Sequence, residues 1–409
     1  MRDDDDPILV LALPDWRGDY MKPTVALARE LARTRRVLYV EHPRTWATAA
    51  RHVLGGRAGA GTWAARLRTE PTDHGAPVRV LTPPTVWPMN ALPQGLYDSV
   101  LRRNARRVAT EVRSALDVLG IARPLVLNAL NPHYGAALAG AFDERARVYF
   151  CYDEVRARDW NARHGGRMED RYLPMVDAVV GTSPALYDRL DRQHPRAHYV
   201  PNGVDFDLFH RAVTEASPSD RGDDASDRPC IGYVGSLDER LHYDLLDAVI
   251  AAHPAWTVRF VGRVMVDDAR SLARHENVTL TGPKPPDALP RELARMDVGL
   301  MPFASTAFTR NMYPCKVNEY LAAGLPVVST PFAPLPDVDD LVSFAETPEA
   351  FADAIADAVA PTDNATAAQR RQAHVNRARA HRWERRAETL ASILDAAAAT
   401  APSERPPTA

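Results

Sequence analysis

The stretch Ile8–Val40, ILVLALPDWRGDYMKPTVALARELARTRRVLYV, decides the fold. Ile8–Leu13 is a short apolar run, which reads as a strand buried on both faces. Pro14–Tyr20 is a loop punctuated by Pro and Gly. Val25–Leu31 carries apolar residues at helical spacing, and Arg36–Val40 begins a second strand. Strand, loop, helix and strand in succession make a βαβ unit, whose strands pair in parallel with helices laid on the sheet.

The alternation continues outward from there. Strand candidates follow at Val78–Leu81, Leu125–Leu127, Val148–Tyr152 and Ala178–Gly181, with a long helical pattern over Gly95–Leu119. Glu215–Pro229, rich in Asp, Ser and Pro, interrupts it as a linker does. A second alternation starts at Cys230, with strands expected at Ile231–Val234, Trp256–Val261, Val278–Leu280, Val298–Pro302 and Val327–Ser329. Helical segments Asp244–Ala252, Pro290–Met296, Lys316–Ala323 and Pro348–Ala358 lie between or after them. The expected fold is α/β, with two Rossmann-like doubly wound domains facing a cleft. Residues 1–205 form the first domain, 206–229 a linker and 230–380 the second domain. Residues 381–398 form a terminal helix expected to pack back on the first domain, and 399–409 a disordered tail. Ligands of such sheets sit at the carboxyl ends of the strands, so the cleft is expected to hold the substrates.

Composition narrows the function classes. The 409 residues carry 45% hydrophobic and 25% charged side chains, an ordinary globular balance. Net charge is −3, from 50 basic and 53 acidic residues, which argues against a polybasic nucleic-acid binder. Lys22, Lys284 and Lys316 are the only lysines, so nearly all the positive charge is arginine. A GC-rich genome accounts for the bias but not for the three places where lysine remains. Three cysteines argue against a disulfide framework and for a reducing compartment. The acidic start MRDDDD is unlike a signal peptide, and no uncharged apolar run is long enough to span a bilayer. The expected location is cytoplasmic, with a peripheral contact at the inner membrane face offered by the Arg-rich LRRNARRV, Leu101–Val108.

The segment richest in chemistry is Met312–Thr330, MYPCKVNEYLAAGLPVVST. Tyr313-Pro314 is held extended by the proline. A helix begins at Cys315 or Lys316 and ends at Ala323-Gly324, where glycine supplies the left-handed cap. The helix start offers free N–H groups and a positive dipole end to a phosphate. Lys316 adds a mobile charge, and Glu319 has two acceptor oxygens suited to the two hydroxyls of a ribose. The competing reading is a solvated Lys316 and a Glu319 that only steadies the helix dipole.

Lys316–Thr330 resembles the nucleotide-sugar site of GT-B glycosyltransferases of the family 4 type. The order of other pieces agrees: VPNGVDFDLF (Val200–Phe209), CIGYVGS (Cys230–Ser236), the Asn277–Asp297 region with Gly282 and Asp297, and His381-Arg382-Trp383. The first half resembles only the generic acceptor domain, through VYFCYDE (Val148–Glu154) and TSPAL (Thr182–Leu186). The resemblance implies a GT-B fold and a sugar transferred from a nucleotide-diphosphate co-substrate, with no separate cofactor. Glu319 would hold the ribose, Lys316 and Arg240 the diphosphate, and Gly235 and Val317 would line the donor. Phe303 and the loop to Arg310 would lie near the sugar. Where the family pattern has a second Glu, eight residues before the ribose Glu, this sequence has Asn311, which bonds a hydroxyl but carries no charge.

Glycosyl transfer leaves negative charge on the departing diphosphate, and Lys316, a nearby Arg and the helix N–H groups would meet it in place of a metal. No metal site is expected, because Asp205-x-Asp207 reads as a helix cap and Asp3–Asp6 as a terminal tail. In the first domain, Asp15 and Arg17 of the first loop are candidates for touching the acceptor. Trp16 offers a stacking face or packs, and His133 in NPHYG is a candidate base near neutral pH. Asp153-Glu154 also ends a strand. The acceptor is expected to be a sugar, glycan, lipid-linked or small molecule, and the chain a monomer or homodimer. A nucleotide-sugar epimerase and a non-catalytic nucleotide-sugar-binding protein are the alternatives. A dehydrogenase is disfavoured, since neither first loop has the Gly-rich fingerprint.

Overall fold

A computed structural model describes residues 6–18, 22–46, 66–73, 75–157, 161, 163–215 and 228–401. Asp3–Asp5, Tyr20, half of the expected linker (216–227) and the tail 402–409 lie outside the described residues. The chain divides into two units, Met1–Pro201 with Arg386–Ala409, and Asn202–Arg385.

The first unit holds β1 (Ile8–Ala12), β2 (Val37–Val40), β3 (Leu67–Glu70), β4 (Val78–Leu81), β5 (Leu125–Ala129), β6 (Ala146–Cys151), β7 (Ala178–Gly181) and β8 (Ala197–Tyr199). They form one sheet in the order β3-β4-β2-β1-β5-β6-β7-β8, parallel except for β3, which runs antiparallel to β4 at the edge. β1, β2, β5, β6 and β7 are buried at every residue, which is why they read as continuous apolar runs. Helix Gln94–Val118 turns Tyr97, Leu101, Ala105, Val108, Val112 and Leu116 to the core, three or four residues apart, and leaves Arg102, Arg103, Arg106 and Arg107 exposed. Helix Pro132–Leu138 is buried on nearly every side. Its Gly135 is required, because a Cβ there would lie 2.3 Å from the Asn128 amide. Within this unit Arg35 pairs with Asp395 of the last helix, Trp383–Thr400, at 2.7 Å.

The second unit has β9 (Cys230–Val234), β10 (Thr257–Val261), β11 (Val278–Leu280), β12 (Val298–Met301), β13 (Val327–Ser329) and β14 (Val342–Phe344). All pair in parallel in the order β11-β10-β9-β12-β13-β14. The Asp297 carboxylate accepts from the Cys230 N–H at 2.9 Å and ties the start of β9 to β12. Tyr320 lies over Gly299 of β12, where a Cβ would meet its ring at 2.6 Å. The Tyr320 hydroxyl oxygen accepts the Val234 N–H at 2.9 Å.

The expected linker opens with a helix, Phe206–Thr214, which belongs to the second unit. Asp205 caps it, accepting from the Leu208 N–H at 3.0 Å, and Asp207 pairs with Arg382 at 2.6 Å. Both carboxylates of the D-x-D match are thus committed to protein groups.

Candidate functional site

The carboxyl ends of β9, β10 and β12 are drawn together by their loops. Gly235, just past β9, takes φ +155°, and a Cβ on it would meet the Tyr233 hydroxyl at 2.5 Å. Gly262 follows β10, and its Cβ position lies only 1.8 Å from the Gly235 carbonyl oxygen. The backbone here must be bare on both sides. The loop after β9 also pairs with the loop after β12. His242 N–H donates to the Pro302 carbonyl at 2.7 Å, and Ala304 N–H to that of Arg240 at 2.8 Å.

Helix Cys315–Ala322 starts on the same edge, between β12 and β13. Its cap residue is Pro314, which makes no side-chain cap hydrogen bond, so the helix start lacks an N-cap acceptor and suits a ligand oxygen. Lys316 Nζ lies 2.7 Å from Glu319 Oε2. Glu319 is 3% exposed, while the lysine side chain keeps 24% of its surface open. The two residues expected at the diphosphate and the ribose therefore hold each other. Val317, in the first turn, is fully buried, main chain included. Burial pushes the Cys315 thiol up to about 12, with Glu319 adding to it, so it stays protonated.

Tyr233 links this pair to Arg240. Burial raises its hydroxyl well above the ordinary value, with Arg240 opposing and Asp238 and Glu319 reinforcing. Arg240 is clamped by Asp238, with Nε–Oδ1 at 2.8 Å and Nη2–Oδ2 at 2.7 Å. Phe303, expected near the sugar, is 2% exposed and packs edge-on against Phe332 at 4.8 Å and Tyr233 at 6.2 Å. Asn311 turns its amide onto the Ala307 carbonyl at 2.8 Å, and Arg310 beside it is exposed.

In the first unit, Asp15 pairs with Arg44 at 3.2 Å and Arg17 with Glu70 at 3.1 Å. Lys22 Nζ donates to the carbonyls of Asp15 and Arg17, both at 2.6 Å, and so closes the first loop. Trp16 packs rather than presenting a face, being 5% exposed and edge-on to Tyr39. Glu154 joins a buried ion network with Arg189 and Glu169, at 3.2 and 2.7 Å.

His133 departs from the expectation of a base near neutrality. Burial lowers it to about 4, with His164 and Arg167 adding to the effect. Its Nε2 faces Asn161 Oδ1 at 2.5 Å and its Nδ1 faces the Tyr97 hydroxyl. Asn161 Oδ1 can only accept, so Nε2 carries the proton and the Nδ1 lone pair takes the tyrosine hydrogen. No lone pair is left for a substrate proton.

Among the described residues, no three His, Cys, Asp or Glu side chains stand where they could hold a metal ion, and no helix is long and apolar enough to cross a membrane. Residues 228–360 match the family described as Glycosyl transferases group 1. That segment is similar to a group 1 glycosyltransferase domain. The chain is 27% identical over 169 residues to TuaH of Bacillus subtilis (strain 168), named as a teichuronic acid biosynthesis glycosyltransferase. The match covers 40% of this chain and 42% of that relative's length. Sucrose-phosphate synthase from Thermosynechococcus elongatus superposes with a TM-score of 0.69 at 18% identity, over 97% of this chain and all of that one. HepE of Anabaena, solved with UDP-glucose, gives 0.65 at 14%, over 96% and 100%. These likenesses bear out the expected GT-B fold, with a Rossmann-like sheet in each unit, parallel but for β3.

The second unit also holds a buried cluster whose contacts the sequence did not show. Asn318 is fully buried beneath Lys316 and Glu319. Its amide donates to the Asn202 carbonyl at 3.0 Å, and its oxygen faces His381 Nδ1 at 3.0 Å. Asn202 in turn donates to the Tyr313 carbonyl at 2.8 Å. Trp383 lies against Gly203, where a Cβ would meet its ring at 2.8 Å. The only sequence signal was that NGV and HRW recur in order with the helix. The contacts themselves span gaps of more than sixty residues.

Proposed function

We propose that this chain is a metal-independent glycosyltransferase that moves a sugar from a nucleotide-diphosphate donor to a sugar, glycan, lipid-linked or small-molecule acceptor. The observation that carries the reading is the Lys316–Glu319 pair on the uncapped start of helix Cys315–Ala322, on the edge where Gly235 and Gly262 leave the backbone bare. On donor binding, the Glu319 carboxylate accepts the ribose hydroxyls and releases Lys316 to the diphosphate. Charge that grows on the leaving group then meets the ammonium and the first-turn N–H groups, a preorganised site needing no large rearrangement. Arg240, its charge offset by Asp238, steers rather than carries the leaving group. Asn311 bonds a sugar hydroxyl as a neutral group.

The chain spans 42% of the length of the curated relative it matches, so transfer by the whole protein rests on this geometry and on the group 1 match. UDP is the first nucleotide to try, since it is the one named with HepE. UDP should raise the Tm of the wild type by mass action. Glu319→Ala should abolish that rise, and a normal UDP titration by the variant would refute the assignment. Turnover that survives EDTA would support metal independence, and loss restored by a divalent cation would oppose it.

A further inference from the structure

We propose that a groove in the first unit binds an acidic sugar of the acceptor, so that the acceptor is an anionic glycan. This rests on the transferase reading and names its acceptor class. The groove has a volume of about 360 Å3 and is lined by Trp46, Trp87, Arg103, Asn104 and Arg107. That is within the range of about 300–1,000 Å3 typical of small-ligand sites.

Its position is informative. Trp46 stands in the segment after β2, and Trp87 in the segment after β4. Both segments leave the carboxyl edge of a parallel sheet, where such sheets bind ligands. The two walls are held in place. Trp46 N–H donates to the Val86 carbonyl at 3.0 Å, and Val86 N–H to the Arg44 carbonyl at 2.9 Å. Asn104, 1% exposed, grips the main chain of Trp87 with both ends of its amide. It accepts from the Trp87 N–H at 3.1 Å and donates to the Trp87 carbonyl at 2.9 Å. The main chain that carries each indole is thus fixed, and the two side chains stand 48% and 54% exposed at the groove.

The charge on the floor is equally one-sided. Arg103 and Arg107 lie one helical turn apart, a like-charged spacing that disfavours the helix unless an anion sits between them. Among the described residues no carboxylate pairs with either. Of the three acids of the same helix, Asp98 is used by Arg167 at 2.8 Å and Glu111 by Arg66 at 2.7 Å, and Asp117 lies in its last turn, beyond Glu111. Indole faces stack on the C–H face of a pyranose, and a pair of guanidinium forks takes a carboxylate or phosphate on the same ring. A neutral sugar would leave both forks unused. A lipid surface, being flat, would meet the rim of the groove and not the floor that Asn104 builds.

The test is calorimetric titration of the full chain without donor. Tetragalacturonate supplies the carboxylate, 6-phosphorylated maltotetraose the phosphate, and maltotetraose the neutral control. One of the acidic glycans should bind at least tenfold more tightly than the control, and which one does so identifies the anion. Trp87→Ala and the double change Arg103→Ser with Arg107→Ser should each weaken binding at least tenfold, with thermal melting confirming that they fold. Arg103→Lys with Arg107→Lys should weaken it less. Equal binding of acidic and neutral glycans, or none by any of the three, would overturn the proposal. So would vesicles of 30% anionic lipid that hold the wild type and lose the serine variant while no glycan binds. UDP binding is measured separately. If UDP stabilises the protein and no acidic glycan binds, the groove assignment falls and the transferase reading stands. The reverse result leaves the groove and removes the transferase.

Discussion

His133 makes the fold of the first unit sensitive to acid by a calculable amount. Its folded value is about 4, because the ring is buried between Tyr97 and Asn161, whereas an unfolded histidine titrates near 6.5. A lowered histidine value means that the unfolded chain takes up the proton first. Stability is therefore intact above pH 6.5 and falls as pH drops from there toward 4. Linkage for one such group puts the loss between pH 7 and pH 5 at about 2 kcal/mol. His42, lowered to about 4 by burial and by His133, adds in the same direction. Urea unfolding of the full chain at the two pH values should show the drop, and His133→Gln should flatten the difference by about 2 kcal/mol whatever its stability at pH 7. In the same protein, NMR of labelled histidine carbons should find the His133 resonance unchanged between pH 7.5 and 5.5. A His133 midpoint above pH 6 would refute both the burial argument and the assignment of its lone pair to Tyr97.

Three other outcomes are expected. Lys316→Arg keeps the charge but spreads it over a planar fork, so UDP should still raise the Tm while kcat falls on the order of tenfold; unchanged turnover would remove Lys316 from the leaving-group site. Asn318→Leu removes the amide that the Asn202 carbonyl accepts from and one of the contacts of His381, which should destabilise the second unit by about 1–3 kcal/mol in denaturant unfolding and weaken UDP binding. A variant as stable as the wild type would show that this cluster does not position the helix. Gly262→Ala forces a Cβ to within 1.8 Å of the Gly235 carbonyl, so the loops must part and UDP stabilisation should be lost; retained binding would show that this edge is not the donor site.

Legibility followed burial. β1 and β9, covered on both faces, read directly as ILVLA and CIGYV. The edge strands β3, β8 and β14 did not, since LRTE, AHY and VSF hold no continuous apolar run, whereas β11, also at an edge, was legible as VTL. Helix Pro132–Leu138 lacks a polar face because it is buried nearly all round, so its sequence shows no helical period. Helix Phe206–Thr214 was hidden by the polar stretch that follows it, although its cap, Asp205, was legible.

The site divides along the same line. Lys316 and Glu319 are three residues apart on one helix, and that spacing alone brings their side chains together. The α/β class, the break near residue 230 and this pair were determined by local order, since periodicity and i,i+3 geometry need no partner from elsewhere. Asn318 with Asn202, the 116-residue step that seats the same helix, was not. Nor was the burial that packs Phe303 into the core, or the pair of short contacts that takes the lone pair of His133. The two tryptophans beside Arg103 and Arg107 come from loops that follow different strands. Tertiary structure decided these because desolvation and long-range pairing depend on what surrounds a group, and a residue's neighbours in sequence do not specify its neighbours in space.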